Sequence, residues 1–180
     1  MLQKYFIAII PPQLQCEEIS SFKEYISKTF NSHGALQSPP HITLHMPFSF
    51  EENKEDVLLT CLQNFKFSKD CTIQLKNFNC FEPRVIFINV IENQLLFKLQ
   101  KSLVQHVKSN LNIFNQSDDL RGFHPHVTIA FRDLKKQTFY KVWEEFKSKN
   151  YEATFQTSEI ALLKKGNLNW EVYKTFKFTS

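Results

Sequence analysis

At 180 residues, 42% of them hydrophobic, with 19 Phe and only 3 Gly, the chain is long enough to bury a sizeable core, and disordered, fibrous or low-complexity classes are excluded. A formal net charge of +4 permits an anionic substrate but falls short of a surface built to coat nucleic acid. The 4 Cys form no CxxC pair and have no His partner at zinc-ligand spacing, so they read as reduced, mostly buried thiols.

In chain order, residues 5–10 form an apolar strand, without the basic, apolar and small-residue zones of a secretion signal. No apolar run approaches membrane-spanning length, so a soluble, cytoplasmic, monomeric protein with no membrane contact is expected. Pro11-Pro12 opens a helix with Leu14, Ile19, Phe22 and Ile26 on its apolar side. A loop over residues 34–40 delivers a strand beginning His41-Ile42-Thr43-Leu44, and residues 51–64 read as a helix. Strands at 71–78 and 84–91 follow, then a helix at 94–111 with Leu95, Leu99, Leu103 and Val107 on one face. After a loop ending at Pro125 comes a second strand, His126-Val127-Thr128-Ile129. A helix at 135–149, containing Val142, Trp143 and Phe146, precedes strands near 154–156, 159–163 and 171–178.

The order repeats. Ile86-Phe87-Ile88-Asn89-Val90-Ile91 resembles Tyr5-Phe6-Ile7-Ala8-Ile9-Ile10, and Thr154-Phe155-Gln156 echoes Thr72-Ile73-Gln74. A degenerate duplication within one domain over 1–180 is expected, with units of about 4–82 and 84–165 and a closing strand at 171–178. The fold class is α+β. Two lobes, each an antiparallel-rich sheet with helices on its outer side, would enclose a cleft between them.

Residues i and i+2 of a strand share a face, so each motif points an imidazole and a hydroxyl to one side while Ile42 and Leu44, or Val127 and Ile129, face a core. Two such strands at one cleft supply the paired imidazoles of an acid–base phosphoesterase. Opening a cyclic phosphodiester needs a base for water, an acid for the departing oxygen, and donors to the phosphoryl oxygens. Histidine suits both proton roles because its unperturbed pKa of about 6.5 keeps both states accessible near neutrality.

The two motifs, their separation of about eighty residues, the opening strand, and the stretch Phe123-His124-Pro125-His126-Val127-Thr128-Ile129-Ala130-Phe131-Arg132 together resemble the two-histidine (2H) phosphoesterase superfamily, in its bacterial 2′-5′ RNA ligase-like branch. The resemblance implies a metal-independent enzyme without cofactor that hydrolyses 2′,3′-cyclic or 2′-5′-linked phosphodiesters of RNA ends or nucleotides and can run in reverse as a ligase. It also implies His41 as general acid, His126 as general base, and Thr43 and Thr128 as donors to the non-bridging oxygens. The first motif continues Leu44-His45-Met46-Pro47-Phe48, a departure from the Gly-rich continuation of ligase-like members. An RNA-binding module with the same cleft and little catalysis is the alternative reading.

Arg132 would share the strand face of His126 if the alternation continued, and could offset phosphate charge. Phe6 and Phe48 are candidates to stack on a base, with Lys164 a further candidate for the rim. His124, His126 and His45 could form a metal site, but the absence of an acidic ligand cluster argues for none. His33 and His106 read as solvent-facing, and the loops at 31–39 and 112–123 are expected to border the cleft.

Overall fold

The computed structural model describes residues 1–115 and 122–179; the loop expected at 112–123 therefore falls partly outside the described residues. Eight strands form one curled antiparallel sheet: β1 (Leu2–Ile9), β2 (Ile42–Glu51), β3 (Cys71–Phe81), β4 (Val85–Val90), β5 (His126–Ala130), β6 (Glu152–Thr157), β7 (Glu159–Lys165) and β8 (Trp170–Lys177). Their order is β6-β3-β4-β5-β2-β1-β7-β8. Four strands lie on each side of the β5–β2 junction, which is a single registered pair, Ile42 opposite Val127. The two lobes therefore meet where the two His-x-Thr segments lie side by side.

Four helices, α1 (Gln13–Phe30), α2 (Glu55–Gln63), α3 (Gln94–Leu111) and α4 (Lys136–Phe146), back the sheet. Helix α1 packs on β5 and α3 on β2, so the helix that precedes each motif strand in the chain lies under the other motif strand. Both end on an asparagine in the left-handed region, Asn31 at φ 55° and Asn112 at φ 54°, a conformation asparagine tolerates well. Asn93 caps the start of α3 by accepting from the Leu95 and Leu96 amides.

The helix-facing side of the sheet carries the main core: Tyr5, Ile7, Ile9, Ile42, Leu44, Ile86, Ile88, Val127 and Ile129. Alternation puts Phe6 and Ala8 on the opposite side with Leu163 and Trp170. The stretches Thr72-Ile73-Gln74 and Thr154-Phe155-Gln156 are direct neighbours, Thr72 opposite Gln156.

Several expectations are corrected. The helix expected at 51–64 starts at Glu55, because β2 runs on to Glu51 through Pro47. Pro47 is tolerated there because it falls in a bulge, between the Ile7–His45 and Tyr5–Phe48 pairs, where no ladder bond is needed. Leu14 is 62% exposed, since the buried face of α1 is Ile19, Lys23 and Ile26. His106 is half-buried, its Nε2 donating to the Cys61 carbonyl at 2.8 Å. Lys164 is bound to Glu55 at 2.6 Å, together with the Tyr5 and Tyr173 hydroxyls, and lies outside the cavity wall. Cys61 and Cys71 are buried, while Cys16 and Cys80 are partly so. Among the described residues no helix is long and apolar enough to cross a membrane.

Candidate active site

A cavity of about 520 Å³ opens over the β5–β2 junction, and Phe6, His41, Thr43, His126, Thr128 and Arg132 all line it. The junction register explains the convergence. With Ile42 opposite Val127 and both in the core, one step either way sets His41 across from Thr128 and Thr43 across from His126, all four on the cavity side. Each imidazole thus faces the other motif's hydroxyl, and the two imidazoles sit on a diagonal.

The histidines are held alike. His41 Nδ1 donates to the Pro39 carbonyl and His126 Nδ1 to the His124 carbonyl, both at 2.7 Å and both two residues upstream. That bond fixes the tautomer and leaves Nε2 as the lone-pair nitrogen available for proton transfer. Each ring also rests on a phenylalanine at 4.8 Å, Phe6 under His41 and Phe87 under His126. Trp170 packs edge-on to Phe6 and Phe81 against Phe87, so both imidazoles have aromatic supports.

Burial pushes the His41 imidazole down to about 4, with the Lys23 and His126 charges adding to the effect and the Pro39 bond opposing it. His126 is also pushed below the usual histidine range, by burial and then His124 against its carbonyl bond, and buried His45 is lowered by desolvation. Both site imidazoles are therefore neutral near pH 7.

This carries a stability consequence. The unfolded chain protonates these histidines near pH 6.5 and the folded chain does so only at lower pH, so stability is full above 6.5 and is lost as pH falls towards about 4. Urea unfolding at pH 5 should show stability lower by about 2 kcal/mol than at pH 7.5 from His41 alone, at 1.36 kcal/mol per unit. His41→Asn should flatten that dependence; an unchanged slope in the variant would contradict the placement of His41.

Arg132 reaches the cavity by a different route from the one expected. Strand β5 ends at Ala130, and Arg132 sits beyond it at φ 70°, its Nη1 donating to Gln37 Oε1 at 3.4 Å. The next residue anchors the rim: the Asp133 carboxylate accepts from Ser32 Oγ at 2.7 Å, the His33 amide at 2.6 Å and the Gly34 amide at 3.1 Å. Any Cβ at Gly34 would meet the Phe131 carbonyl at 2.3 Å, so this close approach requires glycine.

Phe48 is a correction. It does not line the cavity but is buried against Tyr5, at 6.1 Å, and His45, at 5.2 Å. The pairs Ala8–Thr43 and Ile7–His45 leave Leu44 as an extra residue on β2, which breaks the alternation and turns His45 into the core. Phe6 does line the cavity but is only 3% exposed, a floor for His41 more than an open stacking face. His33 is exposed, as expected. His124 lines the cavity, but with His45 in the core the three-histidine set does not assemble, and no group of three metal-ligating side chains occurs among the described residues.

Sequence reasoning missed Trp170, Phe81, Gln37 and Gln100 in the cavity wall, for which no local pattern exists. It also missed Lys23, for which a signal existed: a lysine at helical spacing between Ile19 and Ile26.

Comparisons with known proteins agree with this architecture. The family model described as the 2′-5′ RNA ligase superfamily matches residues 11–169. A protein of Geobacillus kaustophilus that is named as a phosphoesterase is 30% identical over 178 residues, covering 96% of this chain and 95% of the relative. Among solved structures, E. coli LigT complexed with 3′-AMP superposes with a TM-score of 0.68 at 18% identity, covering 100% of both chains. The PDE domain of MHV ns2 superposes with a TM-score of 0.58 at 14% identity, over 90% of this chain and 99% of that one.

Proposed function

The chain belongs to the 2′-5′ RNA ligase superfamily, and from that membership we propose that it is a metal-independent phosphoesterase that opens 2′,3′-cyclic phosphodiesters of RNA ends or nucleotides, with 2′-5′-linked diesters as related substrates. One observation carries the reading: the register at Ile42–Val127, which sets two imidazoles on a diagonal of two hydroxyls at a shared cavity. A phosphodiester carries a negative charge, and among the described residues the cavity wall holds His41, His124, His126 and Arg132 but no carboxylate. The volume exceeds what a bare phosphate needs, and solved LigT structures hold 3′-AMP, ATP and NADP+.

In the proposed cycle the bound anion draws a proton onto His41. His126 Nε2 removes a proton from water as the water oxygen bonds to phosphorus. The bond from phosphorus to the ribose 3′ oxygen breaks, and His41 delivers its proton to that oxygen. Thr43 and Thr128 donate to the non-bridging oxygens as charge gathers on them, and Arg132 offsets charge from the rim. The proton ends on His126, and exchange with solvent resets the pair; a 5′-hydroxyl attacking phosphorus in place of water, with the 3′ oxygen again leaving, would join a 2′-5′ linkage.

The test is the product. Incubation with a nucleoside 2′,3′-cyclic phosphate, followed by phosphorus NMR, should show the 2′-phosphate alone. A 3′-phosphate would reverse the assignment of the leaving oxygen, and ligand binding without turnover would favour an RNA-binding module.

A further inference from the structure

Lys23 is the only lysine, arginine, aspartate or glutamate buried among the described residues, at 3% exposure. It lies on the core-facing side of α1, four residues after Ile19 and three before Ile26. Its Nζ donates to the Ser38 carbonyl at 3.1 Å, and among the described residues no carboxylate pairs with it. An unpaired buried ammonium is strongly penalised, and apolar residues commonly replace buried charges without loss of stability. A lysine at this position calls for a role that an apolar residue cannot fill.

Its position supplies one. Ser38 leads directly to Pro39, whose carbonyl holds His41 Nδ1, so the lysine grips the turn that orients the imidazole. Its charge also reaches the ring and opposes protonation there. Burial lowers the Lys23 ammonium only to about 8, so it stays charged at neutrality. The other groups near the pair do not cancel it. From β5 and its flanking turns come His126, His124 and Arg132, and on α1 itself Cys16 acts on Lys23, its thiol pushed up by burial and kept neutral.

We propose that Lys23 is a positioning residue for His41: a buried cation that fixes the 38–40 turn carrying the imidazole and adds its charge to the burial that already disfavours a proton there before an anionic phosphodiester binds. Proton uptake by His41 is then coupled to substrate binding, and a neutral ligand of the same shape leaves the acid unloaded. The identity of the anion rests on the phosphoesterase reading; the protonation state of His41 in the empty protein does not, and is measurable without turnover.

The experiment is an NMR titration of the histidine side chains in wild type, Lys23→Met, Lys23→Gln and Lys23→Arg, with thermal unfolding of each. The His41 midpoint should rise by about one pH unit in both neutral variants, the effect of removing one nearby like charge, and stay low in Lys23→Arg. Lys23→Met should unfold at a temperature no lower than wild type. An unmoved His41 midpoint in a folded neutral variant would overturn the proposal, as would failure of both neutral variants to fold. Loss of the phosphoesterase reading shows separately, as no turnover of a 2′,3′-cyclic nucleotide by a wild type whose His41 responds to Lys23 as described.

Discussion

His126→Ala and His41→Ala should each lower kcat/KM on a 2′,3′-cyclic nucleotide by about 10²- to 10⁴-fold, the usual worth of one acid–base group. His41 immediately precedes β2 and His126 opens β5, both rings line the cavity, and neither belongs to the apolar core, so the variants should stay folded. In the proposed cycle the pair passes one proton across one phosphate, so the double variant should be little worse than the poorer single one. A double variant whose loss equals the product of the two single losses would mean that the rings act independently. Circular dichroism and the urea midpoint at pH 7.5 check that the losses are chemical rather than structural.

The next largest effect is expected at the hydroxyls. Thr43→Val and Thr128→Val keep the shape of the side chain and remove the donor; each should lower kcat by about 10²- to 10³-fold, the range for one lost donor to a developing oxyanion. The register makes the two losses comparable, since Thr128 faces His41 and Thr43 faces His126 in the same antiparallel relation. The effect should fall mainly on kcat, because a bond made more strongly in the transition state contributes little to ground-state affinity. A rise in KM with kcat unchanged would make the threonines binding groups only.

Much of this was legible in the chain. The strands and helices followed their apolar periods closely, because β1 is buried on both faces and α3 carries Leu99, Leu103 and Val107 at helical spacing. The four motif residues were legible because strand alternation is local and rigid. What failed did so where alternation is broken. Two bulges in β2 sent His45 and Phe48 to the core, and a left-handed turn at Arg132, beyond the end of β5, brought that residue to the cavity. Neither device has a reliable mark in a single sequence. Trp170 and Phe81 reach the site from distant strands through sheet order alone, which local pattern does not encode. The buried face of α1 was misread by one residue pair, with Leu14 counted in and Lys23 left out, since a lysine in an apolar stripe is ordinarily taken as solvent-facing.

The most direct measurement is turnover of a nucleoside 2′,3′-cyclic phosphate under excess chelator by wild type, His41→Ala and His126→Ala. Paired imidazoles acting as acid and base give full wild-type activity in chelator and loss in both variants. Activity that disappears with the chelator, or that survives in either folded variant, would contradict the two-histidine mechanism.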